Sequence, residues 1–228
     1  MLSAAKKLLS DLKERADVRR ADTVVVSYPK SGRTWLRLLV GRALAEHHGL
    51  LAEVEADPDL LLRTERLGGM GDGIPTVVFS HDDKPHAKPT AEIETDKGRF
   101  AGSHVVFLHR DPRDVAVSQF FSLTKRTDDG FRGTISDFIR DEQIGPANHL
   151  HYLNVWARAK EALPSVRFLS YESLHADTEA ELARVLAYAG ADDVPREVIE
   201  RAVVYGSFDN MRQMEAGGTF KSGMLRPV

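Results

Sequence analysis

Four side-chain donors and a glycine crowd one short stretch, Lys30-Ser31-Gly32-Arg33-Thr34. A strand that turns through a glycine into a helix leaves backbone N–H groups free at the helix start, and the helix dipole adds partial positive charge there. Lys30, Ser31, Arg33 and Thr34 put further donors on the same turn, so the chemistry on offer is phosphate binding. The common nucleotide loop reads G-x-x-x-x-G-K-[ST]. Here Lys30 precedes Gly32, and Ser27, Tyr28 and Pro29 stand where an early glycine would be. So short a loop suits one phosphate better than a triphosphate tail. A second set is Arg110-Asp111-Pro112-Arg113-Asp114-Val115-Ala116-Val117-Ser118. Arg110 can reach another anion, with Ser118 as a second contact, or the four charges Arg110, Asp111, Arg113 and Asp114 pair among themselves. His81 is the third candidate. An imidazole titrates near neutrality and is a natural general base, though a histidine in a loop often has no task. His149 and His151 have no carboxylate or histidine at metal-ligand spacing and read as solvated or structural.

These residues need elements to hold them. Thr23–Val26 is a β-branched run suited to a buried strand, and the apolar period from Trp35 predicts a helix to about Gly49. Leu51–Arg66 has weak helical periodicity, and the glycines from Gly68 to Gly73 make a loop. Thr76–Phe79 is a second strand ending in Ser80-His81-Asp82-Asp83. Lys84–Ser103 is mostly loop with one short helix, and His104–His109 is a third strand. Pro112 opens the next helix with Asp111 as N-cap. A helix follows over Leu150–Leu163, then a strand at Val166–Ser170. Thr178–Ala189 forms a helix with a Thr178/Glu181 capping box and Gly190 as its stop, and Pro195–Tyr205 forms another. Strands alternating with helices predict an α/β fold, a single domain over residues 1–228 with a central parallel sheet flanked by helices. In such sheets ligands bind at the carboxyl ends of the strands, which is where the loop, His81 and Arg110 would stand.

The whole chain narrows the classes. With 228 residues, 42% hydrophobic and 29% charged, it has the balance of one soluble globular domain. A net charge of −3 argues against a nucleic-acid partner, which favours a basic face. No run reaches the length of a membrane span. Met1–Ala16 mixes charges with leucines and reads as an amphipathic surface helix, not a signal peptide. The absence of cysteine excludes disulfides and zinc–thiolate sites and points to a cytoplasmic protein.

Together, two of these stretches resemble the sulfotransferase family. Tyr28-Pro29-Lys30-Ser31-Gly32-Arg33-Thr34-Trp35 looks like its 5′-phosphosulfate loop, Y-P-K-S-G-T-T-W, and Arg110 to Ser118 looks like its 3′-phosphate motif. Both occur in the family's order, each after a strand, and the resemblance spans about residues 21–215. It implies a P-loop-like fold that takes 3′-phosphoadenosine-5′-phosphosulfate as donor and releases adenosine 3′,5′-bisphosphate, with no metal. It gives Lys30 the bridging oxygen between phosphate and sulfate, and His81 the proton of the acceptor hydroxyl. Ser118 joins these two in the catalytic set while holding the 3′-phosphate with Arg110. Ser31, Gly32, Arg33 and Thr34 complete the loop. Trp35 would stack on adenine, Tyr171 would contact the base or serve as core, and Ser207, Phe208 and Met211 would match the S-F-x-x-M turn over the adenine.

Three departures accompany the resemblance. The family's Lys-Thr-His is here Phe79-Ser80-His81, without the auxiliary lysine. The R-K-G and G-x-x-G segments that complete the 3′-phosphate site are not found after Met211, so either the chain is shortened at its C-terminus relative to the family or the site is closed differently. The dimerisation motif is also not visible, which leaves the oligomeric state open. Residues 120–148 are placed for an acceptor-side lid or a solvated loop. The acceptor is a hydroxyl on a small molecule, glycan or lipid. A small-molecule kinase and a non-catalytic nucleotide-binding module are the competing readings.

Overall fold

A computed structural model describes residues 12–125, 130–142 and 144–221. Of the expected N-terminal helix, residues 1–11 lie outside these, and residues 12–20 are helical (α1). Four parallel strands form one sheet: β1 (Thr23–Ser27), β2 (Val77–Ser80), β3 (His104–His109) and β4 (Val166–Ser170), in the order β2-β1-β3-β4. The remaining helices are α2 (Arg33–His47), α3 (Leu51–Ala56), α4 (Thr64–Leu67), α5 (Pro112–Lys125), α6 (Ile135–Arg140), α7 (Pro146–Ala162), α8 (Tyr171–Ala176), α9 (Thr178–Tyr188), α10 (Arg196–Tyr205) and α11 (Phe208–Ala216). Leu51–Arg66, weakly periodic in sequence, breaks into α3, a short 3-10 turn and α4, and Lys84–Ser103 holds three 3-10 turns where one short helix was expected.

Every residue of β1 and β2 is buried, as expected of strands covered on both faces. Alternation assigns the faces. Val25, Phe79 and Val106 pack with α2, α9 and α10, whereas Val24, Val26, Val78, Val105 and Phe107 pack with α1 and α7. Trp156 of α7 stacks on Phe107 with ring centroids 5.1 Å apart. The sheet thus sits between two helical layers.

One cap differs from the sequence reading. The N-cap of α9 is Asp177, whose carboxylate accepts the N–H of Ala180, so Thr178 is already helical and its capping box with Glu181 does not form. Both residue types cap well, and Asp177 reaches the free N–H groups first because α8 ends at Ala176. Gly190 stops α9 as expected, with φ +86°.

Candidate active site

The strand order brings four chain segments to one end of the sheet. β1 delivers the loop from Tyr28 to Gly32, β2 delivers His81, β3 delivers Arg110, and β4 delivers Tyr171. β1 lies between β2 and β3, so the chain leaves it in opposite directions and opens a crevice at the strand ends. A cavity of about 350 Å³ occupies that crevice. Lys30, Gly32, Arg33, Thr34, Trp35, His81, Arg110, Ser118, Tyr171 and Phe208 line it, with Pro29 and Glu215.

The loop is built for an anion. Gly32 caps α2 at φ +91°, with no side-chain cap and no acidic residue in the first turn. The first helical N–H groups and the dipole are therefore left for a ligand. A Cβ on Gly32 would lie 2.5 Å from Cδ2 of Tyr171, so only glycine fits both this backbone and this ring. Lys30 has φ +71°, and its carbonyl accepts a bond from Nη1 of Arg110 at 3.4 Å. Ser31 is fully buried, and its Oγ finds no partner among the described residues. A buried hydroxyl without a partner is costly, and an oxygen-rich ligand at the loop would supply one. Three cations on the wall (Lys30, Arg33, Arg110) face one carboxylate, Glu215. This donor set fits a ligand with several negative charges.

Arg110 lies over Tyr171, with Cζ 4.2 Å from the ring centroid, and approaches Asp114 at 3.7 Å. Arg113 pairs with Asp111, whose carboxylate also accepts the Arg113 N–H. The charge cluster therefore divides, with Arg113 and Asp111 pairing at the surface and Arg110 turned to the cavity. Trp35 is nearly buried. Its indole N–H donates to the Gly206 carbonyl at 2.9 Å, and its ring packs near Tyr171 and Phe208. Ser31, Ser207 and Met211 are not on the cavity wall. Ser207 caps α11 by accepting the Asn210 N–H, and Met211 packs against the core.

His81 is held in one tautomer. Its Nδ1 lies 2.8 Å from the carbonyl of Ser27, and a carbonyl only accepts, so Nδ1 carries the proton and Nε2 keeps the lone pair. Burial, and then the charge of Arg33, push its pKa well below the ordinary histidine value, with the Ser27 bond opposing. Arg33 is itself brought down to about 9 by burial and by Arg37, which still leaves it charged near neutrality. Arg37 ties the loop helix to the strand that carries His81. It donates to the carbonyls of Leu62 and Phe79 and lies over the Phe79 ring.

Sequence reasoning missed Asp82. This residue, Asp83 and Lys84 all have positive φ, at 52°, 68° and 53°. Aspartate tolerates the left-handed region better than most residues, but such a run is strained. The buried carboxylate of Asp82 anchors it, accepting from Trp156 Nε1 at 3.0 Å and pairing with buried Lys97 at 2.6 Å and with Arg99. The Asp82 N–H donates to Ser80 Oγ, and the Tyr152 hydroxyl donates to the His81 carbonyl. His81 is thus fixed from both sides. The signal lay in the sequence as Asp82-Asp83 after a strand, but its partners are on distant segments.

His149 is structural, and buried. It stacks on Tyr28 with centroids 4.4 Å apart, and neither ring nitrogen has a hydrogen-bond partner among the described residues. Burial, with His109 adding, lowers its pKa to about 4. The folded state therefore refuses a proton that the unfolded chain accepts from about pH 6.5 downward. Its stability contribution is intact above that pH and is lost as pH falls toward 4, by about 3 kcal/mol in all. His149→Phe keeps the stacking and removes this loss. Urea unfolding of the variant and the parent should agree near pH 7, and the variant should be the more stable at pH 4.5. An identical pH dependence in the two proteins would show that His149 is not the group responsible.

Of residues 120–148, placed in sequence for a lid, 126–129 and 143 lie outside the described residues, and none of the described ones lines this cavity. Phe120, Phe131 and Phe138 pack on one another instead. No helix among the described residues is long and apolar enough to cross a membrane.

Comparison with known proteins adds four findings. The profile of the sulfotransferase domain family matches residues 20–223. Cytosolic sulfotransferase 12 of Arabidopsis thaliana is 25% identical over 226 residues, covering 93% of this chain and 68% of the relative. The 3-alpha-hydroxysteroid sulfotransferase of Cavia porcellus is 25% identical over 222 residues, covering 94% and 74%. The fold matches that of a retinol dehydratase solved with retinol and PAP, with a TM-score of 0.60 at 20% identity over 95% of this chain and 77% of that one.

Proposed function

The chain belongs to the sulfotransferase domain family, and on that premise we propose that it moves a sulfuryl group from 3′-phosphoadenosine-5′-phosphosulfate to a hydroxyl of an acceptor. The observation that carries the reading is the convergence of the phosphate loop, His81, Arg110 and Ser118 on one cavity from three strand ends. The donor supplies the sulfuryl group and a 5′-phosphate leaving group. The free N–H groups of α2, with Arg33 and Thr34, bind the 5′-phosphate end. Lys30 sets an ammonium beside the oxygen on which negative charge grows as the S–O bond breaks. Nε2 of His81 takes the acceptor proton as the new S–O bond forms, and Nδ1–H stays on the Ser27 carbonyl throughout. Arg110 and Ser118 hold the 3′-phosphate, while Trp35, Tyr171 and Phe208 wall the adenine. The relative named as cytosolic supports a cytoplasmic setting.

Nucleotide preference tests this reading. Adenosine 3′,5′-bisphosphate should raise the melting temperature by binding only the folded state, and ATP should do much less because it lacks the 3′-phosphate. Arg110→Ala should abolish the difference. Equal shifts from the two nucleotides in the parent protein would count against the donor assignment. A mutant that still prefers the 3′-phosphorylated ligand would return Arg110 to the surface charge cluster.

A further inference from the structure

We propose that the acceptor hydroxyl enters through a second cavity, on the β2 side of the sheet, and that the compound carrying it is strongly polar, of the sugar kind, not an apolar ring system. The inference rests on the transfer reaction proposed above and names where and what its acceptor is. A cavity of about 410 Å³ lies among α1, α2, α4 and the end of β2, within the size range of small-molecule sites. It shares His81 and Arg33 with the donor cavity, and no other lining residue. A base that serves the acceptor must face the acceptor and the donor at once. His81 is the uncharged one of the two shared residues, and its one available nitrogen is Nε2.

The lining decides the chemical class. Carboxylates come from Glu14 and Asp17 of α1 and Glu65 of α4, and ammonium groups from Lys13 and Lys84. The apolar members, Leu62, Val78 and Phe79, are each less than a tenth exposed, so charge and hydrogen-bonding capacity are what the cavity presents. An apolar skeleton placed there would strip water from these groups and return no hydrogen bonds. Sugar hydroxyls both donate and accept, and so replace that water. The wall thus differs in kind from what the hydroxysteroid of the Cavia porcellus relative's name would need.

The test is a sulfation assay with the full chain, labelled 3′-phosphoadenosine-5′-phosphosulfate, and four acceptors: methyl glucoside, glucosamine, a hydroxysteroid and 2-naphthol. A sugar should lead the two ring compounds in kcat/KM by about 10²-fold or more, the discrimination open to a site built to hydrogen-bond. Glu65→Trp fills the cavity and should raise the KM of the best acceptor about tenfold, a change of one 1.4 kcal/mol step. The affinity for adenosine 3′,5′-bisphosphate should stay unchanged. Asp17→Trp probes the same cavity from α1 if Glu65→Trp does not fold. Preference for the steroid or the naphthol, or an unchanged acceptor KM in the filled variant, overturns the inference and leaves sulfuryl transfer standing. Binding of adenosine 3′,5′-bisphosphate without sulfation of any of the four acceptors overturns this inference and favours the non-catalytic nucleotide-binding reading over transfer.

Discussion

His81→Ala should lose turnover by roughly 10²–10⁴-fold, the range for a general base, while its affinity for adenosine 3′,5′-bisphosphate stays near that of the parent. On the proposed reading the imidazole faces the acceptor side, and the nucleotide is held by groups that follow β1, β3 and β4. Lys30→Ala should lose turnover as well, but it should also weaken nucleotide binding, because its ammonium serves the bound and the reacting donor alike. Acceptor acidity separates the two. A nitrophenol gives up its proton unaided and should partly rescue His81→Ala, but not Lys30→Ala, where the missing charge is on the leaving side. The pH profile of kcat/KM carries the same signature. Nε2 must be unprotonated to act, and burial and Arg33 hold its pKa well below 6.5, so activity should persist below pH 6.5 and fall only as pH drops through the depressed value. Near-parental turnover of a weakly acidic alcohol by His81→Ala would place the base elsewhere.

Asp82→Asn should cost about 3–5 kcal/mol of stability, the penalty for breaking a buried ion pair from one side. Lys97 is 4% exposed and would lose the carboxylate that offsets it. For a domain of this size that loss lowers Tm by roughly 10 °C or more. The double variant Asp82→Asn/Lys97→Met removes the stranded charge and should recover much of the stability. Turnover should not recover with it, because the left-handed run that follows His81 loses its anchor in both variants. Single and double variants of equal stability would show that the charge left on Lys97 is not what destabilises Asp82→Asn. Full activity in the double variant would show that His81 is positioned without Asp82.

What could be read without coordinates was whatever neighbouring residues decide. The β-branched run before Tyr28 and the apolar period after Thr34 are local, so β1 and α2 were legible with the glycine between them. His104–His109 was legible to the residue because it is bounded by breakers and followed by a helix start. The α9 cap was misread because Asp177 and Thr178 are both good caps. Only the preceding helix, which ends at Ala176, decides between them.

The sequence by itself determined an α/β chain with an anion-binding turn, a histidine and an arginine each following a strand, because hydrophobic period, glycine and proline act over a few residues. Tertiary structure decided that these three share one cavity. That depends on the order β2-β1-β3-β4, which is set by how helices pack across the sheet and not by any local signal. Tertiary structure alone also fixed the tautomer of His81 through the Ser27 carbonyl, 54 positions away in the chain. It buried Asp82 against Lys97, Arg99 and Trp156, and it assembled the charged wall beside His81 from α1, α2 and α4. Charges and hydrogen-bond partners far apart in sequence act on one another only once the core has brought them within a few ångströms.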